Sequence, residues 1–475
     1  MPWHLRSRRR SNEVFMENTY QVNEPFPTWR IVIWALGGVG TTIIGSLAGL
    51  MTYFYVPPQT AQSDFPQYLS NATILGITIL GLIGYIGGIL GILINPLISN
   101  WSDRSRSPLG RRKIFMLVSF LPVSILSYLM FVPPADTVSP VNAIWLLSIV
   151  ILLNVFRSLY NVSGALVPEF SSSSSILMRF NTFSSIGWVF GFIIGSQAVF
   201  LIKDALMGTG MSAVEAFRIT VGSLIALSTI LAGLQVWVVD ERRYGTGKSS
   251  QVNVWEALKL TLSNKTFVLY TLTNQVYFWG DGLFQGGLVY FVTVIFGYSD
   301  SMMVAFGGTI LGLSFIIYPF VSTMAKWTGK KNLYLIALIW MAVIMIALGF
   351  ADKLPFPVTI ISWVIVAFIA IPGAITGIIP GAINYEIIRE DCMRTGEAKE
   401  ASFTAAAGLI TAIPSGFVNL IMPSILLLGR STENPTGVRT VAVVSAVCMI
   451  AAFLLLYFLY DEKKIQSSLK TYGYE

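Results

Sequence analysis

Long apolar stretches separated by short polar joints run along almost the whole chain. A helix that crosses the hydrocarbon core of a bilayer needs about 20 consecutive, mostly apolar residues. Twelve stretches are long enough, and they lie near residues 31–54, 72–98, 113–132, 143–167, 181–202, 216–239, 266–296, 302–325, 332–350, 357–384, 402–427 and 438–460. The pattern therefore predicts an all-α integral membrane protein with twelve transmembrane helices.

The composition strengthens this prediction. Of the 475 residues, 54% are hydrophobic and 12% are charged, whereas an average soluble domain is about 25% charged. The formal net charge is +7, but the basic residues collect in short loops, and membrane sidedness explains them without a nucleic-acid partner. We expect the apolar surface to face the lipid bilayer and no nucleic acid to bind.

The basic residues occupy alternate joints. Lys and Arg occur in "RSRSPLGRRK", "DERRYGTGK", "KWTGKK", "REDCMRTGEAKE" and "DEKK", whereas "VPPQTAQSDFPQYLSN" and "VPPADTVSPVN" contain neither. Loops rich in Lys and Arg stay in the cytoplasm during insertion. The sequence therefore predicts a multi-pass protein of the plasma (inner) membrane with both termini in the cytoplasm. The first residues lack the apolar core of a cleaved signal peptide.

A polar stretch at 240–265 divides the chain into two parts with repeated features. "NPLIS" and "YPFVS" each precede a basic turn, and "GALVPE" and "GAINYE" follow the fourth and tenth apolar stretches. Parallel repeats of this kind are typical of transporters built from two six-helix bundles. The expected organisation is a cytoplasmic tail at 1–30, bundles at 31–239 and 266–460, a cytoplasmic linker at 240–265 and a second cytoplasmic tail at 461–475.

The turn between the second and third stretches combines an acid, a glycine and several arginines. Retention of the loop in the cytoplasm explains these charges. The alternative is a gate, in which Asp103 faces a helix N-terminus and the arginines bind acids of the other bundle when the inner side is closed. The candidate gate residues are Asp103, Arg104, Gly110, Arg111, Arg112, Glu169, Glu386, Asp391 and Arg394.

Two segments resemble the signatures of a known transporter family. "SDRSRSPLGRRK" resembles the loop signature of the major facilitator superfamily. "GAINYEIIREDCMRTGEAKEASFTAA" is similar to the second-half signature of its glycoside–pentoside–hexuronide:cation symporter branch, the branch of melibiose permease, and "VPEF" and "YFY" also fit that branch. The resemblance implies the major facilitator fold and transport of a sugar or glycoside together with a cation.

The chain departs from that branch at the positions of its cation site. The branch carries acids immediately before the proline of span two and one turn earlier, and here these positions are Asn95 and Gly91. Neutral groups compensate poorly for the dehydration of Na⁺. Thr41 and Tyr160 stand where the branch has sugar-binding acids. We expect H⁺ as the coupling ion, with Na⁺ as the alternative and Asn95 as a candidate ligand.

Two ionisable residues remain deep within the apolar stretches. Arg157 lies midway along span four and Asp281 midway along span seven. Burial of an unpaired charge in a membrane costs about 2.5–3.5 kcal/mol or more, so each needs a partner or a water-filled site. Either each is satisfied within its own bundle, or both line a central cavity. Helical spacing groups further polar and aromatic side chains with them, which gives the candidate solute-binding set Arg157, Asp281, Tyr160, Asn161, Asn274, Tyr277, Trp279 and Gln285.

These observations predict a secondary active transporter that moves a sugar or glycoside by alternating access, with Asp281 as the proton carrier. One alternative solute is a lysolipid-like amphiphile or another anionic solute, and an alternative class is a transporter-like sensor that binds without transport. An enzyme is not expected, because His4 is the single histidine and "GTGKS" lacks the first glycine of a phosphate loop. We expect no cofactor, no metal site and a monomer.

Overall fold

The computed structural model describes residues 26–60, 65–105, 107–171, 174–244, 262–395 and 416–471, and between the last two ranges residues 403, 406–408, 410–411 and 414. Residues 1–25 of the first expected tail, residues 245–261 of the expected linker and residues 472–475 of the second tail lie outside the described residues.

The described residues of the first half form helices, short loops and one short hairpin. A π-helical turn (Ile194–Ala198) follows the helix that ends at Ile193, and a 3₁₀ turn (Val162–Ala165) follows the helix that ends at Asn161. The hairpin consists of β1 (Thr73–Ile74) and antiparallel β2 (Ile77–Thr78). The helices are α1 (Thr28–Gly49), α2 (Met51–Tyr55), α3 (Ile79–Arg104), α4 (Lys113–Leu129), α5 (Pro140–Asn161), α6 (Leu166–Phe170), α7 (Ser174–Ile193), α8 (Val199–Met207), α9 (Ala213–Val238) and α10 (Glu241–Tyr244).

The second half is built in the same way. A π-helical turn (Phe291–Ile295) follows its first helix, and a 3₁₀ turn (Ala351–Lys353) follows its third. The helices are α11 (Lys265–Tyr290), α12 (Met302–Thr328), α13 (Lys330–Gly349), α14 (Val358–Thr395), α15 (Phe417–Leu426), α16 (Thr436–Leu459) and α17 (Glu462–Thr471).

Ten helical segments among the described residues are long and apolar enough to cross a membrane. Two further apolar helices, α4 and α15, are shorter, and they contain Pro122 and Pro423 respectively. They occupy the places of the third and eleventh expected spans. The described residues thus contain the twelve apolar helical segments that the sequence predicts.

Side-chain caps begin several of the long helices. Thr78 caps α3, Ser139 caps α5 and Asn264 caps α11, each by accepting a hydrogen bond from a backbone N–H of the first turn. Ser212 and Glu215 form a reciprocal capping box at the start of α9. Such caps satisfy donors that have no partner inside the helix, so each helix begins directly after its short loop.

The two halves pack in equivalent ways. In the first half α1 packs against α9 and α7, and α3 packs against α5. In the second half α11 packs against α16, and α12 packs against α14. Contacts between the halves join α3 to α15, and join α12 to α8 and to the π-helical turn before it. The arrangement is that of two helix bundles related by a parallel repeat.

The loops lie at two ends of the molecule, which we name the basic end and the far end. The basic end carries the turns at 107–112 and 329–331, and the far end carries the loops at 56–60, 65–72, 130–139, 296–301, 350–357 and 427–435. At the far end the halves are bonded together: Gln59 N donates to Arg430 O at 2.9 Å and the Tyr290 hydroxyl donates to Val56 O at 2.7 Å. The far end is therefore closed.

The C-terminal segment differs from the expected tail in forming a helix. Ile465 and Leu469 of α17 are buried, and the Ser468 hydroxyl donates to Glu390 Oε1 of α14 at 2.8 Å. The helix therefore docks against the basic end of α14.

Candidate solute cavity and gates

A cavity of ≈ 880 Å³ lies between the two halves. Its volume falls within the range of about 300–1,000 Å³ that is usual for small-molecule sites. Both halves contribute polar and aromatic side chains to its wall. Among them are Thr41, Thr42, Tyr53, Arg157, Tyr160, Asn161, Trp188, Gln197, Tyr277, Asp281, Gln285, Tyr318 and Thr376.

Arg157 projects from α5 toward the cavity and against α1. A Cβ atom on Gly45 of α1 would lie 3.0 Å from Arg157 Nη2, so the absence of a side chain at residue 45 gives the guanidinium its room. The guanidinium makes no hydrogen bond or ion pair with any residue that the structure describes. Its five N–H donors therefore have no protein partner among the described residues.

Asp281 lies on the opposite wall, on α11. Its Oδ2 accepts a hydrogen bond from Gln285 Nε2, one helical turn further on, at 2.5 Å. It makes no ion pair with Arg157 in this conformation, so the two charges face the same space from different halves.

Six of the eight residues predicted to bind solute line this cavity: Arg157, Tyr160, Asn161, Tyr277, Asp281 and Gln285. Tyr160 contributes its ring alone, because its hydroxyl donates to Gln235 Oε1 at 2.7 Å inside the first half.

Trp279 and Asn274 lie elsewhere, which corrects the sequence prediction for both. Trp279 is two residues from Tyr277, so helical rotation turns it to another face of α11, where it packs on Phe417 and donates to the Pro414 carbonyl at 2.6 Å. Asn274 lies one turn closer to the basic end and accepts a hydrogen bond from the Tyr334 hydroxyl at 3.1 Å. Both side chains hold helices of the second half together.

The predicted cation position on α3 is also outside the cavity wall. Asn95 is exposed, and it is absent from the residues that line the cavity. Gly91 lies against α5, where its carbonyl accepts a hydrogen bond from Ser158 and a Cβ would meet Asn154 Oδ1 at 2.8 Å. Among the residues that the structure describes, no group of three His, Cys, Asp or Glu side chains could hold a metal ion.

The basic turn before α4 binds acids of its own half. Glu169 Oε1 accepts from Arg111 Nη2 at 2.6 Å and also from Arg112 Nη1. Asp103 Oδ1 accepts from Arg112 Nη2 at 2.8 Å. The N-terminus of α4 is occupied by Glu241, whose Oε1 accepts from the backbone N–H of Arg112 at 2.8 Å.

The other candidate gate residues make local contacts. Glu386 binds Lys330 Nζ within the second half. Asp391 Oδ1 accepts from Arg394 Nη2 at 2.5 Å and from Asn264 Nδ2 at 3.1 Å. Arg104 is exposed. The expected bonds from the basic turn to acids of the other half are absent among the described residues in this conformation.

The far end contains a charged cluster that was not predicted from the sequence. Lys203 of α8 is buried and binds Asp300, which precedes α12, and the Tyr53 hydroxyl donates to Asp300 Oδ2 at 2.5 Å. The available signal was Lys203 and Asp204 directly after an apolar stretch. A short loop containing Asp300 offered no sign of its partner.

The sequence matches the family model described as MFS/sugar transport protein over residues 33–463. No curated protein sequence matches the chain.

Several solved structures are similar in fold. A mutant of the nucleoside transporter NupG superposes with a TM-score of 0.62 at 14% identity, covering 91% of this chain and 100% of that one. A bacterial homologue of the human lysosomal transporter Spinster, in an inward-facing and unoccupied conformation, gives 0.62 at 15% identity and covers 93% and 97%. A D-xylose–proton symporter gives 0.61 at 14% identity and covers 92% and 98%.

Proposed function

Because the chain belongs to the MFS/sugar transport protein family and is thus a multi-pass secondary transporter, we propose that it moves a sugar-like solute together with protons. The solute binds in the cavity between the two halves, at Arg157. Asp281 on the opposite wall carries the coupling proton. The similar D-xylose–proton symporter supports a sugar and a proton as the pair to test first.

The proposed orientation puts the basic end in the cytoplasm, since loops rich in Lys and Arg are retained there. Asn161 and Trp188 of the cavity wall are exposed, whereas Tyr53 and Phe200 toward the far end are buried. The far end is also closed by the bonds between the halves. The conformation is therefore inward-facing, with a binding site accessible from the cytoplasm.

The unpartnered guanidinium of Arg157 is the observation that carries the proposal. A buried or half-buried donor without a protein partner is costly, so its partners are water and solute. Its planar set of N–H donors can bind two neighbouring oxygens of a carboxylate or of a sugar. Trp188 and Phe192, which stack with ring centroids 5.4 Å apart, offer an apolar surface nearby.

The position of Asp281 supports the proposed coupling role. Ionised, it places a negative charge opposite Arg157 in the same cavity; protonated, it leaves Arg157 free to bind an anionic or polyhydroxylated solute. The neutral groups at Gly91 and Asn95 supply a weak field for Na⁺. We therefore propose H⁺ as the coupling ion.

Ligand-induced thermal stabilisation of the purified protein tests the solute class. A panel of glycosides, hexuronides and lysolipids is compared at two pH values, with and without Na⁺. A bound solute at 100 times its Kd stabilises the protein by about 2.7 kcal/mol. We expect a sugar-dependent shift that changes with pH and is independent of Na⁺. A shift with lysolipids alone would favour the amphiphile, and a sugar shift without counterflow in liposomes would favour a sensor.

Substitutions in the cavity then assign the roles. Arg157→Ala should abolish the ligand-induced shift, whereas Arg439→Ala, which removes an arginine paired with Asp352 outside the cavity, should preserve it. Asp281→Asn should bind solute but lose the pH dependence of transport, with Asp352→Asn as its control. Unchanged pH dependence in Asp281→Asn would exclude Asp281 as the proton carrier.

A further inference from the structure

The charged cluster at the far end joins the two halves of the molecule. Lys203 Nζ donates to Asp300 Oδ2 and to the Tyr53 hydroxyl, the latter at 3.1 Å. The side chains of Lys203 and Asp300 are 0% and 1% exposed. Lys203 and Tyr53 belong to the first half, whereas Asp300 belongs to the second. The cluster can therefore form only when the far end is closed.

The cluster contains one more acid than base. Asp204, next to Lys203, has its Oδ1 3.4 Å from Lys203 Nζ. The charged and titratable groups that act on Asp300 are Lys203, Tyr53 and Asp204. One ammonium group thus faces two carboxylates, of which Asp300 is buried and Asp204 is 28% exposed, and a charge on the buried Asp300 is costly unless it is compensated. A single proton would balance the cluster.

Asp300 has an oxygen on which that proton can reside. Oδ2 accepts the bonds from Lys203 and Tyr53, whereas Oδ1 is buried and has no hydrogen-bond partner among the described residues. A proton on Oδ1 would leave both bonds to Oδ2 in place. Burial raises the pKa of the Asp300 carboxyl above its ordinary value, and the Lys203 ammonium group offsets part of that rise.

We propose that Asp300, Lys203 and Asp204 form a proton-binding site that couples protonation to closure of the far end. The closed cluster holds the proton more tightly than a separated, hydrated Asp300 does, so by linkage a fall in pH favours the closed far end. Tyr53 also lines the solute cavity. Tyr53 therefore belongs both to this site and to the wall of the cavity that Asp281 lines. The ligand is H⁺, and the proposal does not depend on the identity of the solute.

Spin-label distances across the far end test the proposal without any solute. Labels are placed at Val138→Cys of the first half and Phe356→Cys of the second, which are exposed positions in far-end loops, in a Cys392→Ser, Cys448→Ser background. In the parent protein we expect the fraction with the short distance to increase from pH 8 to pH 5.5. One proton changes the ratio of closed to open by at most about tenfold per pH unit.

Three variants move the result in two opposite directions. Asp300→Asn and Asp204→Asn each leave one ammonium group facing one carboxylate, so the far end should be closed at both pH values. Lys203→Met leaves two carboxylates together, so the far end should open at pH 8 and close again at pH 5.5. This last variant keeps the test decisive even if the parent is closed throughout.

A second label pair at the basic end, Leu109→Cys and Trp327→Cys, distinguishes gate opening from unfolding. Opening of the far end should shorten this distance, whereas unfolding would broaden both distributions. The proposal is overturned if Asp300→Asn opens the far end at every pH, which would make Asp300 a permanent ionic latch. It is also overturned if the far end of Lys203→Met remains closed at pH 8, or opens there and does not close again at pH 5.5.

Discussion

The basic turns of the two halves have the same backbone arrangement and differ in their charged side chains. Each turn contains a glycine with positive φ, +122° for Gly110 and +83° for Gly329. The helix that follows each glycine begins with free backbone N–H groups, and these donate hydrogen bonds to an acid distant in the sequence. That acid, Glu241 in the first half and Glu462 in the second, comes just after the last long helix of its half. The same local geometry therefore starts α4 and α13.

The difference lies in the basic side chain and its acids. In the first half the fork of Arg112 binds both Asp103 and Glu169. In the second half Lys330 binds Glu386 alone, and Glu386 Oε2 is buried without a hydrogen-bond partner among the described residues. An arginine can satisfy two carboxylates at once, whereas a lysine is a single point of charge. Both acids of the first turn are thus bound by Arg112, whereas the acid of the second turn has one carboxylate oxygen without a hydrogen-bond partner among the described residues.

Removing the basic side chain should give the largest difference in stability between variants of the two turns. Arg112→Ala removes a buried arginine, which leaves Asp103 without its partner and Glu169 with Arg111 alone, and we expect it to lower the free energy of unfolding by about 3–5 kcal/mol. Lys330→Ala breaks one bond of a partly exposed lysine, and a loss of about 1–2 kcal/mol is expected. Unfolding in a denaturing detergent measures both values. Arg112→Lys, which keeps the charge and loses the fork, should fall between them; equal losses in the two alanine variants would contradict the distinction.

Adding a methyl group to the glycines should have a smaller effect. Alanine in a positive-φ conformation that favours glycine costs about 1–3 kcal/mol. At residue 110 the Cβ would also lie 2.9 Å from Glu241 Oε1, against 3.1 Å from Glu462 Oε2 at residue 329. We therefore expect Gly110→Ala to lower the melting temperature more than Gly329→Ala. Gly38→Ala is the control, because α1 offers open space there.

The sequence predicted what depends on local pattern. The repeated "GALVPE" and "GAINYE" indicated that Glu169 and Glu386 are equivalent, and helical spacing grouped Tyr277, Asp281 and Gln285 on one face. Partners that are distant in the chain could not be predicted in this way. Glu241 lies 129 residues from Arg112, and Lys203 lies 97 residues from Asp300.

The rotation of a helix about its own axis also could not be predicted from the sequence. The spacing along α11 fixes which residues share a face, but it does not say which face meets the cavity. Trp279 was included among the solute-binding residues as an aromatic side chain beside the polar face of α11. In the fold it packs against Phe417 of α15 instead.

Neutralising the acids of the two turns should have the smallest effect on stability and the clearest effect on function. Glu386→Gln removes the charge of an acid that uses one oxygen, so we expect a loss of less than about 1 kcal/mol. If Glu386 binds the Arg111 side of the first turn when the basic end closes, the same variant should slow transport severalfold. Glu169→Gln should show the reverse balance, because Glu169 already binds Arg111 and Arg112 in this conformation. Melting temperature and initial transport rate, measured for both variants, test this distinction. A normal transport rate in Glu386→Gln would show that Glu386 only binds Lys330 and has no role in closing the basic end.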